Sequence, residues 1–202
     1  MLAPTVAQSP SLEFNEAQHR YSVNGRELTG VTRALTDAGL IDTRWFNDAA
    51  CLRGTYVHAA IVMLHDGDLA EDSLDPILKP YVDAYRAFLD QSALRLDAIE
   101  ERVFNEALGC AGTLDLRGQF PNDPPNVTNV IDIKTGFVPP HVGFQTAGYV
   151  RLLPIGAQPV RRRWALNLRA DATYRLEPLT KRTDESVFLA AVTVAQAKRG
   201  WL

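Results

Sequence analysis

The pattern of hydrophobic and polar residues changes its period along the chain, and the first half is mainly helical. Short alternating runs on either side of Asn24-Gly25, a dipeptide common in tight β-turns, predict a hairpin between residues 14 and 31. Apolar residues at helical spacing then predict helices over 31–40 and 54–64, and a third helix that starts at Pro80.

The second half alternates between strand and helix periods. Strands are predicted over 99–104, 110–120 and 127–135, followed by a helix over 142–153 that Pro154 ends. Two further strands, over 162–168 and 173–179, precede a final helix over about 184–198. The apolar face of that helix is expected to consist of Val187, Phe188, Ala191 and Val194.

This order of elements predicts one α/β domain with a restriction-endonuclease-like core, in which a mixed central β-sheet is flanked by helices. Residues 1–12 contain Pro4 and Pro10 and show little periodicity, so we expect a flexible N-terminal tail. The domain is then expected to span residues 13–202.

The composition is that of an ordinary globular protein. It says more about where in the cell the protein is found than about its function. Hydrophobic residues make up 46% of the 202 residues and charged residues 22%, which allows a sizeable core without disulfides. No apolar run approaches the roughly 20 residues that cross a bilayer. Residues 1–10 lack the basic start and apolar block of a signal peptide. We therefore expect a cytoplasmic protein with no membrane partner.

The number of cysteines and the net charge argue against a cysteine-ligated cluster and against a broad basic surface. Cys51 and Cys110 both lie in apolar neighbourhoods, so buried, reduced thiols are expected, and two cysteines cannot supply a four-cysteine cluster. The net charge of -3 argues against a broad basic surface for nucleic acid. It does not argue against a nuclease, because divalent cations can neutralise an acidic cleft.

The candidate chemistry lies on two neighbouring predicted strands. Side chains alternate between the faces of a strand, so Asp132 and Lys134 share a face, and Asp115 on the preceding strand can join them if the strands pair. The residues expected on the opposite, core-facing side are Leu114, Leu116, Ile131 and Ile133. Two carboxylates can hold Mg²⁺, and a lysine can position water and offset phosphate charge. An exposed group of ion pairs is the alternative.

Five motifs in a fixed order favour a metal site over an exposed group of ion pairs. With these motifs the chain resembles the PD-(D/E)XK nuclease superfamily, specifically its RecB-like and phage-type exonuclease branch. The resemblance covers about residues 31–153. The motifs are Arg53-Gly54-Thr55-Tyr56-Val57-His58, Glu100 with Val103, Ala111-Gly112-Thr113-Leu114-Asp115, Asp132-Ile133-Lys134-Thr135-Gly136 and Gln145-Thr146-Ala147-Gly148-Tyr149. Leu114 stands where the signature has proline.

The resemblance implies a role for each matching residue. The metal ligands would be His58, Asp115, Asp132 and the backbone carbonyl of Ile133. Lys134 would be the catalytic lysine and Glu100 a further catalytic acid, although alternation alone leaves open whether Glu100 or Glu101 faces the site. Gln145 and Tyr149 would contact the DNA backbone or the attacking water, and Arg53 would contact DNA.

A basic run supplies further candidates for phosphate contacts. Arg161, Arg162 and Arg163 follow one another in a predicted strand. As phosphate contacts they would suit a nuclease groove. As solvated residues of a strand edge they would discourage aggregation. Both interpretations remain open.

The function implied by the resemblance is Mg²⁺- or Mn²⁺-dependent hydrolysis of DNA, most simply by an exonuclease that acts on linear ends in phage-type recombination or repair. DNA is the expected partner, with a single-strand annealing recombinase or another DNA-processing protein as a second, and a homo-oligomer could supply processivity. A phage-encoded protein would act in the host cytoplasm. No iron–sulfur cluster is expected. The alternatives are a structure-specific or nicking endonuclease and a catalytically silent binding module.

Overall fold

A mixed sheet of eight strands forms the centre of the described part of the chain. The computed structural model describes residues 11–42, 44, 47–154, 156 and 160–200. The strands are β1 Leu12–Asn15, β2 Arg20–Val23, β3 Arg26–Gly30, β4 Arg95–Asn105, β5 Cys110–Gln119, β6 Val127–Lys134, β7 Val160–Leu168 and β8 Tyr174–Pro178. The helices are α1 Val31–Asp37, α2 Asp48–Asp66, α3 Lys79–Ser92, α4 His141–Leu152 and α5 Asp184–Lys198, with a 3₁₀ turn at Glu71–Ser73.

The sheet combines two parallel pairs of strands with antiparallel ones. The strands β1, β2 and β3 form an antiparallel meander, and β3 then runs parallel to β5. The long strand β4 is antiparallel to β5, as is β6. The sheet continues with β7 parallel to β6 and β8 antiparallel to β7. The predicted mixed central sheet is therefore confirmed.

Two layers of helices cover opposite faces of this sheet. On one face, α1, α4 and α5 bury a cluster that includes Leu35, Tyr149 and Phe188. On the other face, α2 and α3 bury a cluster that includes Ile61 and Phe88. A smaller third cluster lies beneath the N-terminal strands. The strands of the centre are thus buried on both sides, and polar groups between the layers need partners within the protein.

Several predicted boundaries shift because of local capping and pairing. The hairpin turn lies at Asn24 and Gly25 as predicted, and both residues have positive φ, as a type I′ turn requires. Leu12, which we assigned to the tail, instead begins β1, while residues 1–10 lie outside the described residues. Helix α2 starts six residues before Gly54, since the side chain of Asn47 accepts the amide of Ala50 and caps it.

Two predictions of burial are wrong. Cys110 is buried as expected, and burial raises the pKa of its thiol to about 12, whereas Cys51 is exposed on α2. On α5, Phe188 is fully buried, but Val194 is 42% exposed because the buried stripe passes through Val192 and Ala195 instead. Because α5 is rich in alanine, its hydrophobic periodicity is weak, which explains why the buried face was predicted at the wrong residue.

None of the helices within the described residues combines the length and the apolar character that a membrane span requires.

The packing of α5 leads to a stability prediction. Phe188 has no exposed surface and fills the first cluster, so Phe188→Ala is expected to lower the free energy of unfolding by about 3–5 kcal/mol. Chemical denaturation monitored by circular dichroism measures the change. Val194→Ala on the exposed side of the same helix is the control, with an expected change below about 1 kcal/mol. Equal losses for the two variants would contradict the assigned helix face.

Candidate functional site

The candidate site lies where β6 separates from β5. One edge of β5 pairs with β4, while the other edge pairs with β3 at residues 110–111 and with β6 at residues 116–118. Beyond Leu116 the ladder to β6 stops, and the carboxylate of Asp115 accepts the amide of Ile133 at 2.6 Å instead. The side chain of Asp115 thus takes the place of a backbone partner of Ile133, and β5 and β6 separate there.

The strand β5 changes faces at this opening. Leu114 packs in the cluster of α4 and α5, whereas Leu116 packs in the cluster of α2 and α3. Regular alternation would put both leucines on one face, which is what we predicted, so that expectation is wrong. The opposite strand supplies the reason, since Glu100 has a left-handed φ of 47° and interrupts the pleat.

This interruption decides which of two glutamates faces the site. The carboxylate of Glu100 lies 3.0 Å from Nδ1 of His58. The neighbouring Glu101 instead accepts a hydrogen bond from Nε of Arg117 at 2.6 Å. Of the two residues that strand alternation left open, the structure brings Glu100 to the site.

Three side chains from three elements form a group that could hold a metal ion. His58 reaches in from α2, Glu100 from β4 and Asp115 from β5, and one ligand atom of each lies within 4.8 Å of the others. Nδ1 of His58 is 3.8 Å from Oδ1 of Asp115, and its Nε2 is 3.4 Å from the carbonyl oxygen of Ile133. Three predicted ligands and the predicted catalytic acid are therefore neighbours.

The other two predicted residues form a pair next to this group. Asp132 is only 1% exposed, and neither of its carboxylate oxygens accepts a regular hydrogen bond from the described residues. Nζ of Lys134 forms an ion pair with Asp132 and donates to the carbonyl of Ile133 at 3.3 Å. Asp132 lies with Lys134 rather than inside the histidine group that holds Asp115, a division the sequence did not predict.

Burial and like charges raise the pKa of both aspartates. Burial is the largest cause for Asp132. The positive charge of Lys134 lowers the pKa of this carboxyl and the negative charge of Asp115 raises it, and the net result is a pKa of about 6. The pKa of Asp115 is raised as well, mainly by burial. Close carboxylates that resist ionisation together are an arrangement that a cation would stabilise.

The two basic groups respond in the opposite direction. Burial alone would lower the pKa of His58, but Asp115 and Glu100 outweigh it and raise the value to about 9. Burial opposes the charge of Lys134 in the same way, and Asp132 and Asp115 again prevail, so its pKa is raised. Two cations thus face three carboxylates, and the site keeps an excess of negative charge.

The predicted pair on α4 supports the site from the core side. Nε2 of Gln145 donates to the hydroxyl of Tyr149 at 2.8 Å. Tyr149 is buried and lines the small cavity next to Asp115, so a contact with water there is easier to make than one with the DNA backbone, and the predicted role stays a prediction. A Cβ at Gly112 would lie 2.9 Å from this ring, which gives the glycine of the motif a packing role. Half-buried Gln145 remains a predicted contact.

The predicted arginine contacts are engaged within the protein. Arg53 donates to the carbonyl of Thr135 at 3.1 Å, and its guanidinium lies 5.5 Å from the ring centroid of Tyr81. In the basic run, Arg161 donates to the carbonyls of Leu153 and Pro154, Arg162 to Asp123, and Arg163 to Asp184 and the carbonyls of Gly143 and Lys181. These contacts hold β7 to its neighbours, but all three arginines also line an open cleft of about 710 Å³, so the run stays a predicted contact for phosphates.

Sequence reasoning missed one polar residue beside the site. Asn167 on β7 is the parallel neighbour of Lys134, and its Oδ1 is buried without a hydrogen-bond partner among the described residues. No sequence motif marks it. Its place depends on the register between β6 and β7, which the sequence does not specify.

An open cleft gives access to these residues. Its volume is about 680 Å³, and α2 forms one wall with His58, while Glu100 and Lys134 lie opposite. A smaller cavity of about 230 Å³ lies behind the site and is lined by Tyr21, Gly112 and Asp115 among others. A polar group that enters the larger cleft can therefore reach His58, Glu100 and Lys134.

Comparison with known proteins places the fold. No protein-family model and no curated protein matches the chain. Among solved structures, it is similar to a protein from Eubacterium rectale that is provisionally described as an exonuclease, with 12% identity over 88% of this chain and 83% of the other and a TM-score of 0.53. An alkaline exonuclease from Laribacter hongkongensis aligns over 85% of this chain and 92% of its own, at 13% identity and a TM-score of 0.34. The first likeness shows a shared mixed α/β fold.

The raised pKa of Asp132 predicts how stability depends on pH. An acid whose pKa is higher in the folded chain holds its proton more tightly there, so the free energy of unfolding falls as pH rises from 3.8 to about 6. Asp132→Asn removes this contribution. We expect the variant, with chelator present, to be more stable than the unaltered chain at pH 7 by on the order of 2 kcal/mol.

Denaturation curves between pH 4 and 7 measure the effect, and Asp68→Asn in the exposed loop after α2 is the matched control. An unchanged pH slope in Asp132→Asn would show that its carboxylate is not destabilised by burial.

Proposed function

We propose that this chain is a metal-dependent DNA nuclease. The observation that carries the proposal is a group of three acids around Lys134: Glu100 and Lys134 line an open cleft, while the buried Asp115 lies next to Glu100 and the buried Asp132 pairs with Lys134. Burying two carboxylates close together is costly for a fold even where each has a partner, and sites that bind cations have a use for such acids. A surface group of ion pairs would be exposed, whereas Asp115 and Asp132 are buried.

The donor set fits a hard divalent cation. Carboxylate oxygens from Asp115, Asp132 and Glu100, with the carbonyl of Ile133, are the ligands that Mg²⁺ and Mn²⁺ accept, and His58 would add a nitrogen. When bound, such an ion would lower the pKa of a coordinated water and neutralise charge on a phosphate. The excess negative charge of the site supports a cation there.

The residues of the chain have separate tasks in the proposed hydrolysis. Lys134 keeps its proton at neutral pH because Asp132 and Asp115 raise its pKa, so it would act as a cation that positions water and offsets phosphate charge rather than as a base. Glu100 orients His58 through their hydrogen bond. Gln145 would contact the substrate backbone from α4.

The preferred substrate in this proposal is linear DNA, which an exonuclease would degrade from its ends. The order of the five motifs supports this choice, and the Eubacterium rectale protein that shares the fold is provisionally described as an exonuclease. We propose a role in phage-type recombination or repair, in the cytoplasm of a host, with an annealing recombinase as partner. A nicking or structure-specific endonuclease would use the same residues.

The lysine gives the most direct test of activity. We expect Lys134→Ala to reduce cleavage of linear DNA in Mg²⁺ or Mn²⁺ by at least about 100-fold, since it removes the cation beside the scissile phosphate. A gel assay measures this loss, with Lys181→Ala as the exposed control and circular dichroism as the check on folding.

Closed circular and linear DNA in the same assay separate the two kinds of nuclease. An exonuclease leaves the circle intact, whereas cleavage of the circle would establish the endonuclease instead. Full activity of Lys134→Ala, or no cleavage of either substrate by the unaltered chain, would contradict the proposed function.

Metal binding can be tested without activity. We expect Asp115→Asn to weaken Mn²⁺ binding by about 10-fold or more, because it removes a charged ligand that Ile133 holds in place. Titration calorimetry measures the affinity. His65→Ala, on the same helix as His58 but outside the site, is the control, and equal affinity of Asp115→Asn and the unaltered chain would remove Asp115 from the ligand set.

A further inference from the structure

We propose that Phe137 is a stacking platform for a nucleobase at a single-stranded end of the substrate. The proposal rests on the proposed function and specifies the form of nucleic acid that enters the cleft. It follows from the exposure of the ring, its position at the cleft, and the contacts that hold its loop.

The exposure of Phe137 is unusual for its residue type. The side chain is 85% exposed, the highest value among the exposed large hydrophobic residues within the described part of the chain. Phenylalanine is usually buried, because leaving its ring in water forgoes the free energy of burial. A solitary exposed aromatic residue is unremarkable on an arbitrary surface, so its position decides the interpretation.

Phe137 borders a cleft that continues into the site. This second cleft, of about 580 Å³, is lined by Phe137, Lys134 and Thr135 together with Arg53 and His141. It shares Lys134 and Thr135, as well as two residues of α2, with the cleft that contains His58 and Glu100. The ring is therefore three residues along the chain from Lys134 and at the border of the same open space.

The loop that carries the ring is held at both ends. At its start, Arg53 donates to the carbonyl of Thr135 at 3.1 Å. At its end, the carbonyls of Pro139 and Pro140 accept the amides of Val142 and Gly143 at 3.1 and 3.2 Å, in the first turn of α4. An aromatic ring on such a restrained loop loses little conformational freedom when a ligand stacks on it.

The charges of the second cleft favour a nucleotide over an apolar ligand. Arg53 and Lys134 line it as cations, against the single carboxylate of Asp42 among its described lining residues, and His141, whose pKa is lowered mainly by burial, adds a neutral imidazole that can form hydrogen bonds. Phosphates prefer such an environment, while each base offers a flat face to an aromatic ring. Bases inside a duplex have both faces covered by their neighbours, and the last pair of a blunt end exposes only its outer face, so a single-stranded end offers the ring the most base surface.

Binding of oligonucleotides in chelator tests the proposal without cleavage. We expect Phe137→Ala to weaken binding of a single-stranded oligonucleotide by about 5- to 100-fold, and Phe137→Trp to preserve it. A 2-aminopurine base near the end should lose its fluorescence quenching in Phe137→Ala. Binding of a blunt duplex should change less than twofold. Ile77→Ala, which removes a 67% exposed side chain away from the cleft, is the matched control.

The outcomes separate this inference from the proposed function. Equal single-strand binding by Phe137→Ala and the unaltered chain, with Lys134→Ala inactive in cleavage, would overturn the stacking role alone. An equal loss in single-strand and blunt-duplex binding would overturn it too, because stacking on a free base would not be the cause. If the unaltered chain binds neither oligonucleotide, the stacking role is overturned, while the cleavage assay in Mg²⁺ or Mn²⁺ still decides the proposed function. Thermal unfolding of each variant shows that the fold is intact.

Discussion

The hydrogen bond from the amide of Ile133 to the carboxylate of Asp115 is the contact on which the site depends. It ends the ladder between β5 and β6 and holds the two strands apart, at a donor–acceptor distance of 2.6 Å. Hydrogen bonds to charged groups contribute about 1.5–3 kcal/mol, more than a neutral ladder bond. The left-handed conformation of Glu100 on the opposite strand turns a second carboxylate toward the same opening. The regular strand pairing elsewhere in the sheet thus supports one local break in the ladder, and the acids of the site lie at that break.

The stable core and the costly site lie close together. Helices on both faces of the sheet bury Ile133 and Tyr149 beside the carboxylates, and this burial raises the pKa of Asp115 and Asp132. Lys134 and His58 offset only part of the negative charge. A fold that keeps acids in such surroundings gives up stability, and a divalent cation would restore it on binding. The same group of acids would also prepare the site for a metal ion, which would in turn attract a phosphate, so the loss of stability and the proposed function have one origin.

The sequence predicted the mixed sheet, its flanking helices and the order of the site residues, because hydrophobic period and motif order are local signals. It did not predict what depends on backbone detail. The positive φ of Glu100 and the face change between Leu114 and Leu116 are features of the backbone that the residue types do not indicate. Asn167 reached the site through the parallel register of β7. The run from Arg161 to Arg163 has the residue types of a basic patch, but its guanidinium groups donate hydrogen bonds to carbonyl and carboxylate oxygens of the protein.

The central claim is that the opening between β5 and β6 binds a divalent cation through Asp115 and Asp132. Anomalous diffraction from crystals grown with Mn²⁺ tests it most directly. The account predicts a manganese peak within coordination distance of both carboxylates and of the Ile133 carbonyl. A manganese peak elsewhere, with Lys134 still paired to Asp132 and no metal in the opening, would contradict it.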